Sequence, residues 1–212
     1  MIKQLAHRIV SIPFVYDLLQ NLVGLDEISR LLKPHLEATA GGTLLDFGAG
    51  TGNFRRLCPV NTRYLWFDSD PVKLQGYQVK FERGLAVLGS GAALCFREQS
   101  LDFGLFISVS HHLTDDEFNA VLASLAKILR RQLIFFDFYL SSDRWLSGLL
   151  VRFDRGAYPR SRQKILDMVS RHFEIETTED LSVHHRYVLA IAKPKGARNQ
   201  NENDRTPSMT LA

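Results

Sequence analysis

Cysteine is scarce in this chain: Cys58 and Cys95 are the only two among 212 residues. Their spacing suits neither a metal knuckle nor a framework of disulfides, so no metal site is expected and a reducing cytoplasm is the natural setting. Concentrated charge is lacking too. The 26 Lys and Arg residues exceed the 23 Asp and Glu by enough for a formal charge of only +3. They are spread along the chain rather than gathered into the patch that phosphates need, which argues against a nucleic-acid partner. No apolar run is long enough to span a bilayer. The apolar opening MIKQLAHRIVSIPFVYDLLQNLVG is interrupted by His7, Arg8, Pro13, Asp17 and Gln20, and no small-residue cleavage site follows it. A packed or interfacial amphipathic helix is expected there, which leaves peripheral membrane contact open. No internal repeat is visible.

What is present is ordinary globular material. A hydrophobic content of 45% and a charged content of 23% match average usage. The length suffices for one domain with a substantial core and falls short of two full-sized ones. Residues 1–38 read as an N-terminal helical cap, with Leu18, Leu19, Leu22 and Val23 at helical spacing and breaks expected at Pro13, Gly24 and Pro34. From Thr43 the pattern changes to short apolar runs, TLLDF, RYLWFD, LAVLG, FGLFISV and QLIFFDF, separated by segments that suit helices. That alternation predicts an α/β fold with a mostly parallel sheet covered on both faces. HFEIETTE and RYVLAIAK, close together near the end, predict a reversed terminal hairpin. The α/β domain is therefore placed at 39–193. Residues 194–212 lack aromatics and periodicity and read as a disordered tail.

The chemistry concentrates in LLDFGAGTGNF, Leu44 to Phe54. A buried strand runs into a turn where Gly48, Gly50 and Gly52 permit positive φ and let a ligand approach the backbone. Asn53 stands where a dinucleotide fingerprint needs Gly or Ala, and Asp46 on the strand end would repel a pyrophosphate. An acidic residue there suits a cationic ligand instead. The next strand ends in LWFDSDP, which puts Asp68 at its tip, placed to accept hydrogen bonds from ribose hydroxyls; read alone, Asp68 is a helix cap ahead of Pro71.

The order LLDFGAGTGNF, LWFDSDP, LGSGAALCFREQSLDFGLFISVSHHL and LIFFDF resembles the class I S-adenosylmethionine-dependent methyltransferases, in particular small ones similar to quinone-biosynthesis methyltransferases. The resemblance is close over 43–137 and looser elsewhere. It implies a Rossmann-like seven-stranded sheet with a reversed terminal hairpin and S-adenosyl-L-methionine as cofactor. Asp46 and the Gly48, Gly50 and Gly52 turn would hold the methionyl part, Asp68 with Ser69 beside it the ribose, and Ser90 and Gly91 the adenine. Ser90 departs from the aspartate usual at its position, and a charge-assisted contact is lost with it. Ser108 stands where relatives commonly carry an acid. His112, or less favourably His111, lies where similar enzymes place a histidine facing the transferred methyl group. Such a histidine has the pKa to remove a proton from the acceptor; alternatively both histidines bond the start of the helix near Asp115 and Asp116.

The acceptor site is expected in the least regular segments. By the same resemblance Tyr16 caps the cofactor from an N-terminal helix, although an aromatic on an apolar helix face is more often core. Residues 144–163 carry Trp145, Arg155, Tyr158 and Arg160. That mixture suits a small, partly apolar metabolite bearing a carboxylate or phosphate, or else forms a solvated basic face. The expected activity is methyl transfer to an oxygen, nitrogen or carbon atom. The alternatives are a cyclisation or rearrangement on the same fold, or a non-catalytic binding role.

Overall fold

A computed structural model describes residues 25–82, 84–92, 94–140, 158–183 and 185–196. Tyr16, Trp145 and Arg155 lie outside the described residues. Seven strands form one sheet: β1 (Thr43–Phe47), β2 (Arg63–Asp68), β3 (Leu85–Leu88), β4 (Leu101–Ile107), β5 (Leu129–Tyr139), β6 (Phe173–Ser182) and β7 (Arg186–Pro194), in the order β3-β2-β1-β4-β5-β7-β6. The first five are mutually parallel, and β7 inserts antiparallel between β5 and β6. The expected seven-stranded sheet with a reversed hairpin is thus present. Strand order turns back between β1 and β4, and an open parallel sheet offers its ligand crevice beyond the carboxyl ends at such a switch point.

Each strand run reads as nearly continuous apolar sequence because both faces are covered. On one face Leu45, Phe47, Phe67 and Phe106 pack with Phe118, Val121 and Leu125 of one helix, α3 (Asp115–Ile128), and Ile165 and Val169 of another, α4 (Arg162–His172). On the other, Leu44, Trp66, Leu105 and Phe136 pack with Ile28, Leu32 and Leu36 of α1 (Leu25–Glu37) and Tyr77 of α2 (Pro71–Lys80). Each of these side chains contributes about 1.5–3 kcal/mol when fully buried.

The expected break at Pro34 is corrected, since α1 runs through that residue to Glu37. Pro34 removes one helical donor, but Leu32 and Leu36 on either side are fully buried, and their packing outweighs the local cost. The helical segment before β1 is consequently part of the sheet's own covering layer. No helix among the described residues is long and apolar enough to cross a membrane.

Candidate functional site

The β1 strand carries Asp46 on the α1/α2 face, and the chain then turns at Gly48, Gly50 and Gly52 with φ of 71°, 54° and 75°. All three lie in the left-handed region that favours glycine. Two side chains from β2 fix the turn. Asp68 Oδ2 accepts from Gly50 N at 2.9 Å, and Trp66 Nε1 donates to the Gly50 carbonyl at 2.7 Å. From α2, Lys80 Nζ reaches Thr51 Oγ1 at 2.9 Å and Asn53 Oδ1 at 2.8 Å. Trp66→Phe removes one donor to a buried carbonyl and shrinks a fully buried side chain. It is expected to cost more than about 1 kcal/mol of stability, read as a lower denaturant midpoint at unchanged slope.

Asp68 sits at the carboxyl end of β2, partly buried. The helix that follows is capped by Asp70, whose side chain accepts from Val72 N at 2.8 Å, so the cap reading of Asp68 falls away. Its second oxygen accepts from Asp70 N at 3.0 Å. A carboxylate has about four lone-pair sites, so both oxygens keep capacity for a pair of ligand hydroxyls. Ser69 is exposed beside it.

Asp46 is buried, and the Tyr64 hydroxyl of β2 donates to its Oδ2. Burial pushes its carboxyl up to about 7; the Tyr64 hydrogen bond acts against that shift and the Asp68 charge adds to it. The folded protein therefore holds a proton that the unfolded chain has released between the ordinary carboxylate range and about 7. Stability should fall as pH rises through that window. Asp46→Asn is expected to flatten this part of the stability profile, and an unchanged slope would contradict the assignment.

Beyond β3, residues 89–92 lie over a stack of phenylalanines. Phe47 stacks on Phe67 and on Phe106, each at 5.3 Å between centroids. A Cβ at Gly91 would meet the Phe47 ring at 2.7 Å. Ser90 is exposed, and its Oγ accepts from Ala92 N at 3.3 Å.

After β4 the chain passes through Ser108, which takes φ 54°, a left-handed conformation that costs a non-glycine residue about 1–2 kcal/mol. Its N–H donates to the Phe136 carbonyl at 2.8 Å. Val109 then packs against the glycine turn; a Cβ on Gly48 would lie 2.4 Å from its methyl group. The short helical turn Ser110–His112 follows. It is held by Asp137, a fully buried carboxylate near the end of β5 that the sequence reading left without a role. Asp137 Oδ2 accepts from Ser110 N at 2.7 Å and from Ser110 Oγ at 2.6 Å. Its Oδ1 lies 2.8 Å from His111 Nδ1 and accepts from Phe138 N at 2.8 Å. Burial opposes its charge, yet the His111 ring and these hydrogen bonds hold its pKa below the usual carboxylate value. The signal was a single acidic letter in the apolar run LIFFDF.

The two histidines differ. His111 is buried and paired with Asp137, whereas His112 is exposed, with its ring centroid 4.1 Å from that of His111. Thr114 and Glu117 form a capping box at the start of α3, so the helix start is served without either imidazole. Tyr158 is exposed, and its N–H donates to the His111 carbonyl at 3.1 Å. Arg160 is buried, and its guanidinium donates to the carbonyls of Ser110, Leu113 and Tyr158 and to Asp115 Oδ1. Those bonds commit Arg160 to tying the segment after β5 onto the Ser110–His112 turn.

A family profile described as a methyltransferase domain matches residues 45–136, from the strand before the glycine turn into β5. That stretch is similar to methyltransferase domains, and the sheet has the Rossmann-like fold of the class I S-adenosylmethionine-dependent methyltransferases. An uncharacterized methyltransferase of Mycobacterium avium (strain 104) is 38% identical over 82 residues, which is 37% of this chain and 32% of that protein. The match thus spans about a third of the relative's length. A solved protein from Pyrococcus horikoshii shares the fold at a TM-score of 0.67 with 17% identity, over 81% of this chain and 91% of that one. The geranyl diphosphate C-methyltransferase of Streptomyces coelicolor, solved with S-adenosyl-L-homocysteine, follows at 0.64 and 13% identity over 80% of each.

The donor set suits the cofactor of that family. Vicinal hydroxyls would find acceptor oxygens on the partly buried Asp68, which stands against the glycine turn at the carboxyl ends of β1 and β2.

Proposed function

We propose that this protein transfers a methyl group from S-adenosylmethionine to an oxygen, nitrogen or carbon atom of a small, partly apolar metabolite. The observation that carries the reading is the pairing of Asp68 with the glycine turn. A carboxylate with spare acceptor capacity and a turn of three left-handed glycines stand together at the carboxyl ends of β1 and β2, next to the switch point. Asp68 with Ser69 holds the ribose, the Gly48, Gly50 and Gly52 turn with Asp46 holds the methionyl part, and Ser90 and Gly91 flank the adenine above the Phe47 and Phe67 rings. When bound, the cofactor supplies an electrophilic methyl group. The protein's part is to hold the acceptor in line with it, and alignment of this kind is itself a large source of rate.

The acceptor meets the residues beyond β4 and β5. His111, His112 and Tyr158 come together there, beside Ser108 on the cofactor side, while Tyr16, Trp145 and Arg155, expected from sequence to contribute, lie outside the described residues. A small molecule in the cytoplasm is the expected partner. A [4+2]-cyclase shares the fold at a TM-score of 0.62 and 14% identity, so label transfer is the measurement that separates the two chemistries. Incubation with methyl-labelled S-adenosylmethionine and a small-molecule cell extract is expected to place label in an extractable product. Cofactor binding without any labelled product would contradict methyl transfer.

A further inference from the structure

We propose that the outer edge of β3 is an interaction surface for a second copy of this chain, the two β3 strands pairing antiparallel about a two-fold axis so that one sheet runs on into the other. β3 ends the strand order, with β2 on one side and, among the described residues, no strand on the other. An edge of this kind presents a row of backbone donors and acceptors ready for another strand. Leu85 and Leu88 of β3 are 54% and 48% exposed. The helix α2, which packs against β2 and β3, adds Val72 and Val79, seven residues apart on one stripe and likewise exposed. Of the seven large apolar side chains exposed among the described residues, four therefore belong to this edge and its helix. Scattered singly they would call for no partner, but gathered on neighbouring elements they mark a contact.

The two edges of the sheet are built differently. β6, at the other end, carries Glu174, Glu176, Glu179 and Asp180. Glu176 engages Lys193 and Asp180 engages Arg162, and the register against β7 shifts between Ile175 and Thr177. Charges and bulges are the means by which a sheet guards an edge against pairing. β3 has neither, since LAVL stands between Gly84 and Gly89 in regular register, without charge and without proline.

The charge pattern selects a second copy for β3. A two-fold axis normal to the sheet keeps each face on its own side, so residues that come opposite share a face. Pairing centred on Ala86 sets Leu85 of one copy against Val87 of the other, and pairing centred on Val87 sets Ala86 against Leu88. Neither register opposes like charges within the strand, and in both the two α2 helices come to the same face of the joined sheet. The same operation on β6, centred on Thr178, sets Glu176 against Asp180, a pair that repels. A charged peptide finds nothing of opposite sign on LAVL to recognise. Two four-residue strands and a helix stripe make a small contact, so a dissociation constant of about 1–100 µM is expected.

Sedimentation velocity on the full-length protein from about 2 to 200 µM tests the pairing. The unaltered chain is expected to pass from monomer to dimer and no further. Combining Leu85→Lys with Leu88→Lys should weaken association at least about tenfold with a native circular dichroism spectrum, whereas Thr178→Lys on β6 should leave it within about twofold. Amide hydrogen exchange at residues 85–88 of the unaltered protein should slow as its concentration rises, a reading that needs no variant. A monomer throughout the range, assembly beyond the dimer, or a dimer whose 85–88 amides exchange at an unchanged rate would overturn the proposal. So would association undiminished by the β3 substitutions or lost with Thr178→Lys.

Discussion

Asp137→Leu is expected to lower stability by about 3–5 kcal/mol, the range for removing one partner of a buried ionic pair. Four donors converge on that carboxylate: Ser110 N, Ser110 Oγ, His111 Nδ1 and Phe138 N. With leucine in its place they lose their acceptor in a region closed to water, and each unsatisfied group costs about 1–3 kcal/mol before relaxation. Relaxation is limited because Ser110 is pinned from its carbonyl side by Arg160 and His111 by Tyr158. Chemical denaturation monitored by tryptophan fluorescence reads the effect. A loss below about 1 kcal/mol would mean that the Ser110–His112 turn is held by something other than Asp137.

The second large effect is expected at Gly50. Valine there must adopt φ near 54°, which a β-branched residue resists by about 1–2 kcal/mol. It also disturbs the two ties that shape the turn, Gly50 N to Asp68 and Trp66 Nε1 to the Gly50 carbonyl. Trp66 belongs to the core on the α1/α2 face, so the midpoint should fall, while the strands and their pairing are expected to persist. Affinity for S-adenosylmethionine should drop more than a hundredfold. Retained affinity together with a native circular dichroism spectrum would show that the turn does not carry the ligand.

The fold was readable because a parallel sheet buried on both faces writes its strands as bare apolar runs, and TLLDF, RYLWFD and QLIFFDF each became a strand. The glycine turn was readable because alternate glycines have few other uses. Pro34 misled, since propensity is local and the burial of Leu32 and Leu36 is not. Asp137 went without a role because its partners lie 26 and 27 residues earlier in the chain; only the β4 and β5 register joins them. Arg160 read as a ligand contact from composition, yet its donors go to three backbone carbonyls and to Asp115, which no spacing rule identifies. The distinction between His111 and His112 also needed the fold, because neighbours in sequence differ in burial only once the turn is built.

Calorimetric titration of S-adenosylmethionine into the intact protein and into Asp68→Ala decides whether the turn and Asp68 hold the cofactor. Saturable one-to-one binding to the unaltered chain is expected. In the variant the affinity is expected to be about 5- to 150-fold weaker, equivalent to about 1–3 kcal/mol of buried hydrogen-bonding groups left unpaired. Absence of binding to the unaltered chain, or equal affinity in Asp68→Ala, would contradict that placement of the cofactor.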